Sequence, residues 1–233
     1  QVSFGIHADV WWDHRYYFRE MDARFFAQLL LEGGAVKLSF DPPFTYTSGM
    51  KAPIYTDNRL LIGTPKLYKE VTAGFVEMMT REHLQPDWFA GTSTAGVPWA
   101  SFLAYASNIP MVYVRPKPKE HGTGKQVEGF LAPHKKVLVV EDLVTTGGSS
   151  LKTVEALKRE GESDVLGVAA IFTYGFASMF ETFEKAGVKL FTLTDFDTLL
   201  DVARETGRIS GEEFEKILEY KKDPAAWSTK HGK

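Results

Sequence analysis

Apolar residues along this chain recur with two periods, and the alternation between them lays out most of its elements. Phe25, Phe26, Leu29 and Leu30 fall three and four apart, predicting an amphipathic helix that opens at Met21 and stops at Gly33-Gly34. Residues 35–40 read as a strand, and Leu67, Val71, Phe75, Met78 and Met79 restore the helical spacing over 65–83. Trp88-Phe89-Ala90 is a short strand, followed by the small-residue loop Gly91-Thr92-Ser93-Thr94-Ala95-Gly96-Val97-Pro98. A helix over 100–106 and a strand over 110–114 come next. Val137-Leu138-Val139-Val140 is apolar and mostly β-branched, the run expected of a strand buried on both faces. Leu151, Val154 and Leu157 then mark a helix that Gly161 stops.

The alternation continues with a buried strand over 164–173, a helix over 179–186, a strand over 188–193 and helices over 196–206 and 211–220. Residues 221–233 read as a polar, partly basic tail. Strands alternating with helices imply an α/β fold, a parallel sheet flanked by helices on both faces. Residues 1–20 crowd Phe4, Trp11, Trp12, Tyr16, Tyr17 and Phe18 without a clean period, and read as an N-terminal extension with no assigned chemistry.

Bulk properties narrow the classes. A length of 233 residues permits one domain with additions, or two small ones. Hydrophobic and charged fractions of 44% and 24% are those of a soluble globular protein. A net charge of −3 argues against general affinity for nucleic acid, and the absence of cysteine excludes a disulfide framework and cysteine-ligated zinc. Residues 88–114 and 165–180 lack charges, but prolines, Asn108 and hydroxyl residues interrupt the first, and the second is shorter than the ~20 residues of a membrane span. No signal peptide is recognised, and a cytoplasmic protein is expected.

The stretch with the richest chemistry is 135–158. Its strand ends on two adjacent acids, Glu141 and Asp142, and leads into Thr145-Thr146-Gly147-Gly148-Ser149 and a helix. Glycines bring backbone N–H groups close to a ligand, and a helix N-terminus adds orphan donors and partial positive charge, so the turn suits a phosphate. The acids suit a pair of sugar hydroxyls. A Walker-type loop is excluded, because no lysine follows the glycines at the required spacing. An ordinary strand–helix connection, with Ser149 as a cap and both acids solvated, stays open on these residues alone.

VLVVEDLVTTGGS resembles the signature of type I phosphoribosyltransferases, which bind phosphoribosyl pyrophosphate (PRPP). The resemblance implies that Glu141 and Asp142 hold the ribose 2′- and 3′-hydroxyls. Leu143, Val144, Thr145, Thr146, Gly147, Gly148 and Ser149 would then wrap the 5′-phosphate, and Thr92, Ser93, Thr94 and Ala95 the pyrophosphate. FTYTSGMKAPIYTDNR (44–59) reads by itself as a hairpin turning at Ser48-Gly49; it resembles the N-terminal hood of orotate phosphoribosyltransferases. That implies Lys51 and Arg59 as cations for an anionic base, with Thr145 also near it.

Residues 115–125, RPKPKEHGTGK, place four cations and a histidine among prolines and glycines. A solvated basic loop is one reading. The pattern R-x-x-x-K-x-H-G is similar to the family's catalytic loop, which implies a lid bringing Arg115, Lys119 and His121 onto pyrophosphate across a homodimer interface. The resemblance runs from about Met21 onward. It implies a hood over 21–60, a five-stranded core over 61–205 and a C-terminal helix and tail over 206–233, as one structural domain.

The implied reaction is reversible, Mg²⁺-dependent transfer of ribose 5-phosphate from PRPP to orotate, giving orotidine 5′-monophosphate in pyrimidine biosynthesis. The resemblance implies Mg²⁺ held by PRPP, with no direct protein ligand, and neither nucleic acid nor membrane as partner. Some relatives carry lysine where this chain has Thr47, Ala95 and Pro116, and arginine where it has Tyr174. These departures leave open which cation meets the substrate carboxylate. A phosphoribosyltransferase for another base would change the hood; a PRPP-sensing regulator would need a nucleic-acid surface.

Overall fold

A computed structural model describes residues 21–46, 48–118 and 124–231; Thr47, Lys119, His121 and the extension over 1–20 lie outside them. Helix α1 (Ala23–Glu32) starts where the side chain of Asp22 accepts from the Phe25 amide at 2.8 Å. Four short strands follow: β1 (Val36–Leu38), β2 (Phe44–Thr45), β3 (Lys51–Ala52) and β4 (Ile54–Thr56). β1 pairs antiparallel with β4, and β2 with β3, so the expected hairpin forms and stands outside the main sheet. Its turn is closed by the Tyr46 amide donating to the Met50 carbonyl at 2.9 Å, and Gly49 to Tyr46 at 2.8 Å. A 3₁₀ helix (Asn58–Gly63), unmarked by any sequence period, leads into α2 (Pro65–Arg81).

The main body comprises β5 (Trp88–Thr92), α3 (Gly96–Ser107), β6 (Met111–Val114), β7 (Val127–Glu128), β8 (Lys136–Val144), α4 (Gly148–Gly161), β9 (Asp164–Thr173), α5 (Ala177–Ala186), β10 (Leu190–Asp195) and α6 (Phe196–Glu205). The sheet order is β10-β9-β8-β5-β6-β7. Five strands are parallel, as expected, and β7 adds an antiparallel edge that two residues are too few to announce.

β8 is apolar from Val137 to Val140 because both faces are covered. Leu138 and Val140 point into a core with α1, α2, α3 and α6, and Val137 and Val139 into a second core with α4 and α5. Burying a side chain of this kind stabilises the fold by about 1.5–3 kcal/mol.

Beyond α6, α7 (Gly211–Lys222) opens with a reciprocal cap between Ser210 and Glu213. The tail expected over 221–233 is corrected here: α7 runs on to Lys222, and residues 224–231 form a further helix, α8 (Pro224–His231). Asp223 accepts from the Ala226 amide at 2.9 Å, and Trp227, 2% exposed, packs edge-on against Tyr220. One buried indole drives this docking, and a single large apolar residue leaves no periodic trace. The docked helix reaches the hood, where the Lys51 amide donates to Ser228 Oγ at 2.8 Å.

Candidate active site

The two acids sit where the sheet loses a neighbour. β8 pairs with β5 only as far as Val140, opposite Gly91, while on its other side it follows β9 to Val144. Glu141 and Asp142 therefore lie inside a strand, rather than after it, on a stretch with one open edge. The start of α3 fills that edge. A side chain on Gly96 would bring its Cβ to 2.3 Å from the Val140 carbonyl and 3.0 Å from Glu141 Oε2, so glycine is needed for the approach. This contact joins the loop at 93–95 to the acids.

Glu141 is buried; its Oε2 and the Oγ1 of Thr92 have no hydrogen-bond partner among the described residues. Burial, with the neighbouring charge of Asp142, pushes the Glu141 carboxyl up to about 8. Asp142 is pushed up to about 6 by burial, opposed by its own amide and that of Leu143. A buried acid with an unused oxygen fits a ligand hydroxyl, which both donates and accepts. Ser149 Oγ stands 3.5 Å from Glu141 Oε1, so the turn closes back on the acid. Gly147 holds φ at +83° and a Cβ there would meet the Phe183 ring at 2.5 Å, so the turn packs tightly on α5 before α4 begins at Gly148. The N-terminus of α4 is thereby presented beside Thr145 and Thr146.

A cavity of about 950 Å³ adjoins this turn. Leu143, Thr145 and Thr146 line it from the turn, Tyr46 and Tyr55 from the hood, and Tyr174 and Tyr220 from β9's end and α7. The phenols of Tyr46, Tyr174 and Tyr220 meet there. The Tyr174 hydroxyl is 3.1 Å from Thr56 Oγ1, and the Tyr46 hydroxyl donates to the Ile54 carbonyl at 2.8 Å. Burial raises the Tyr46 phenol far above its ordinary value, with Tyr174 and Tyr220 adding to the shift.

The structure separates the predicted residues into three groups. Thr92–Ala95, Glu141, Asp142 and the turn through Ser149 come together. Lys51 and Arg59 do not reach the cavity wall: Lys51 Nζ donates to Thr45 Oγ1 at 2.9 Å, and Arg59 forks onto Asp57 at 2.6 and 2.8 Å. Arg115 lies on the stem of its loop, its amide donating to the Gln126 carbonyl at 3.0 Å and its guanidinium 3.7 Å from Glu128. Lys119 and His121 fall outside the described residues. Sequence reasoning missed Tyr46, Tyr220 and the lysines of α7, which are far apart in the chain and carry no motif.

Three comparisons bear on this arrangement. The family described as "Phosphoribosyl transferase domain" matches residues 64–181. An orotate phosphoribosyltransferase of Listeria monocytogenes is 47% identical over 201 residues, covering 86% of this chain and 96% of the relative. One from Cutibacterium acnes is 45% identical over 209 residues, covering 90% and 96%. The crystal structure of orotate phosphoribosyltransferase from Aeropyrum pernix superposes with a TM-score of 0.68 at 31% identity, covering 79% of this chain and 99% of that one. Among the described residues no helix is long and apolar enough to cross a membrane.

Proposed function

We propose, on the premise that this chain belongs to the phosphoribosyltransferase family and to its orotate phosphoribosyltransferases, that each part of the site serves one reaction. Ribose 5-phosphate passes from PRPP to N1 of orotate, releasing pyrophosphate. The observation that carries this reading is a cavity that joins Thr145 and Thr146 of the turn to the hood.

Glu141 and Asp142 hold the ribose 2′- and 3′-hydroxyls. Burial pushes both carboxyls up, and Glu141 and Asp142 each engage one hydroxyl. Thr145, Thr146 and Ser149, with the amides of Gly147 and Gly148, hold the 5′-phosphate at the start of α4. Anchored at both ends, the ribose presents C1′ in a fixed position. The C1′–pyrophosphate bond breaks, positive charge builds on the ring, and orotate N1 forms the new bond. Orientation and charge carry the rate, with no covalent enzyme intermediate.

Thr92, Ser93, Thr94 and Ala95 wrap the departing pyrophosphate. Arg115, Lys119 and His121 neutralise it across a homodimer interface. The pyrimidine lies between the hood and 174–178, with Thr145 at its margin and Lys51 and Arg59 outside the cavity wall. The unpartnered Oε2 of Glu141 fits a sugar hydroxyl, so Glu141 and Asp142 would support Mg²⁺ indirectly, through the ribose of PRPP. When bound, the ion offsets the leaving group's charge.

The test is orotate consumption, followed by ultraviolet absorbance, with PRPP and Mg²⁺ for wild type and Lys119→Ala. Turnover in wild type and a loss of about 100-fold or more in the variant is expected. An unaffected variant discards the loop's role. PRPP binding by calorimetry without orotate turnover would point to another base or to a PRPP-sensing regulator.

A further inference from the structure

The cavity wall carries charge of one sign only. Of its described lining residues, Lys221 and Lys222 are the charged ones, and both come from the end of α7. Its other walls are aromatic, aliphatic and hydroxyl-bearing. An anion entering such a site needs a cation, because an unpaired carboxylate is costly to desolvate. Of the two cations expected from the hood, Arg59 is paired with Asp57 and Lys51 donates to the Thr45 hydroxyl, and neither lines the cavity.

The two lysines differ. Lys221 Nζ is 2.6 Å from each oxygen of Asp197 and lies over the Phe196 ring, so its charge is spent against α6. Lys222 is exposed, lines the cavity and forms no salt bridge among the described residues. Its backbone is well held: Ile217 and Tyr220 bury the preceding turn, and the Asp223 amide bonds to the Glu219 carbonyl. The alternative role for a lysine here is to complement the negative end of the α7 dipole.

We infer that Lys222 is the specificity-determining cation of the base pocket, reading the carboxylate of the pyrimidine substrate from the C-terminal wall of the cavity. The inference rests on the function proposed above. It also gives α7 and α8 a role in substrate selection beyond bracing the hood.

Charge selectivity tests it. Steady-state constants for orotate and PRPP, and inhibition constants for orotate and its neutral carboxamide, would be measured for wild type, Lys222→Gln and Lys222→Arg. A charge-assisted hydrogen bond of this kind predicts a rise of about 10- to 100-fold in the orotate KM of Lys222→Gln. The PRPP KM and melting temperature should stay within about twofold and a few degrees, and Lys222→Arg should recover most of the loss. The preference for orotate over the carboxamide should collapse in Lys222→Gln alone. An unchanged orotate KM, a parallel rise in both KM values, or a retained preference for the acid would each overturn the inference. Absence of orotate turnover in wild type would instead remove the functional reading beneath it.

Discussion

The side-chain amide of Asn58 donates to the backbone carbonyl of Asp142 at 2.7 Å, tying the end of the hood to the strand that carries the acids. Asn58 is fully buried, and the bond spans 84 residues of sequence. It uses a carbonyl on the stretch of β8 that β5 no longer reaches, so it fixes the backbone on which Asp142 is mounted. Asn58→Ala would leave that carbonyl unpaired in a buried setting. A stability loss of about 1–3 kcal/mol is expected by urea denaturation, together with a several-fold rise in the PRPP KM. A variant that melts normally and binds PRPP normally would show that the bond does not position the acid.

Glu141→Gln should separate stability from binding. In the folded protein the carboxyl titrates near 8, against an ordinary value of 4.5, so ionisation is easier in the unfolded chain. Wild-type stability from this group is therefore intact below about pH 4.5, declines as pH rises from there to 8, and levels off above it. The glutamine variant avoids that decline. Its stability should match wild type at acid pH and exceed it at pH 9, by a margin on the order of a few kcal/mol. Its affinity for PRPP should fall. Parallel pH–stability curves for the two proteins would contradict the assignment.

Gly96→Ala reverses a usual sign. Glycine to alanine in a helix ordinarily gains up to about 1 kcal/mol. Here the new methyl would stand 2.3 Å from the Val140 carbonyl, and the helix or strand must shift. Thermal melts should show a loss of about 1–3 kcal/mol, with PRPP binding weakened because the same shift parts the 93–95 loop from Glu141. A stabilised variant would mean that the two elements are free to separate.

Legibility in the sequence followed how local the physics is. β8 and α4 were readable because an apolar run, two acids and a glycine turn occur within one stretch, and both cores use alternate residues of that run. Element bounds moved where tertiary contacts extend a strand, as β9 carries β8 through Glu141 and Asp142 to Val144. Lys51 and Arg59 suited an anion by charge, but Thr45 and Asp57, six and two residues away, take them first. Tyr46, Tyr174 and Tyr220 could not be grouped from sequence, since only the closed fold brings a hood, a strand end and a C-terminal helix to one cavity. The α8 helix was hidden for the same reason: its stability comes from Trp227 meeting Tyr220, not from its own pattern.

The bond from the Lys51 amide to Ser228 spans 177 residues, and it sets an order of events during synthesis. As the chain emerges from the ribosome, the hairpin of β2 and β3 appears early and waits for its support. The sheet, the acids and the phosphate turn are all translated before α8 exists. A nascent chain thus carries the strand and turn of the candidate site well before the helix that braces the hairpin is made.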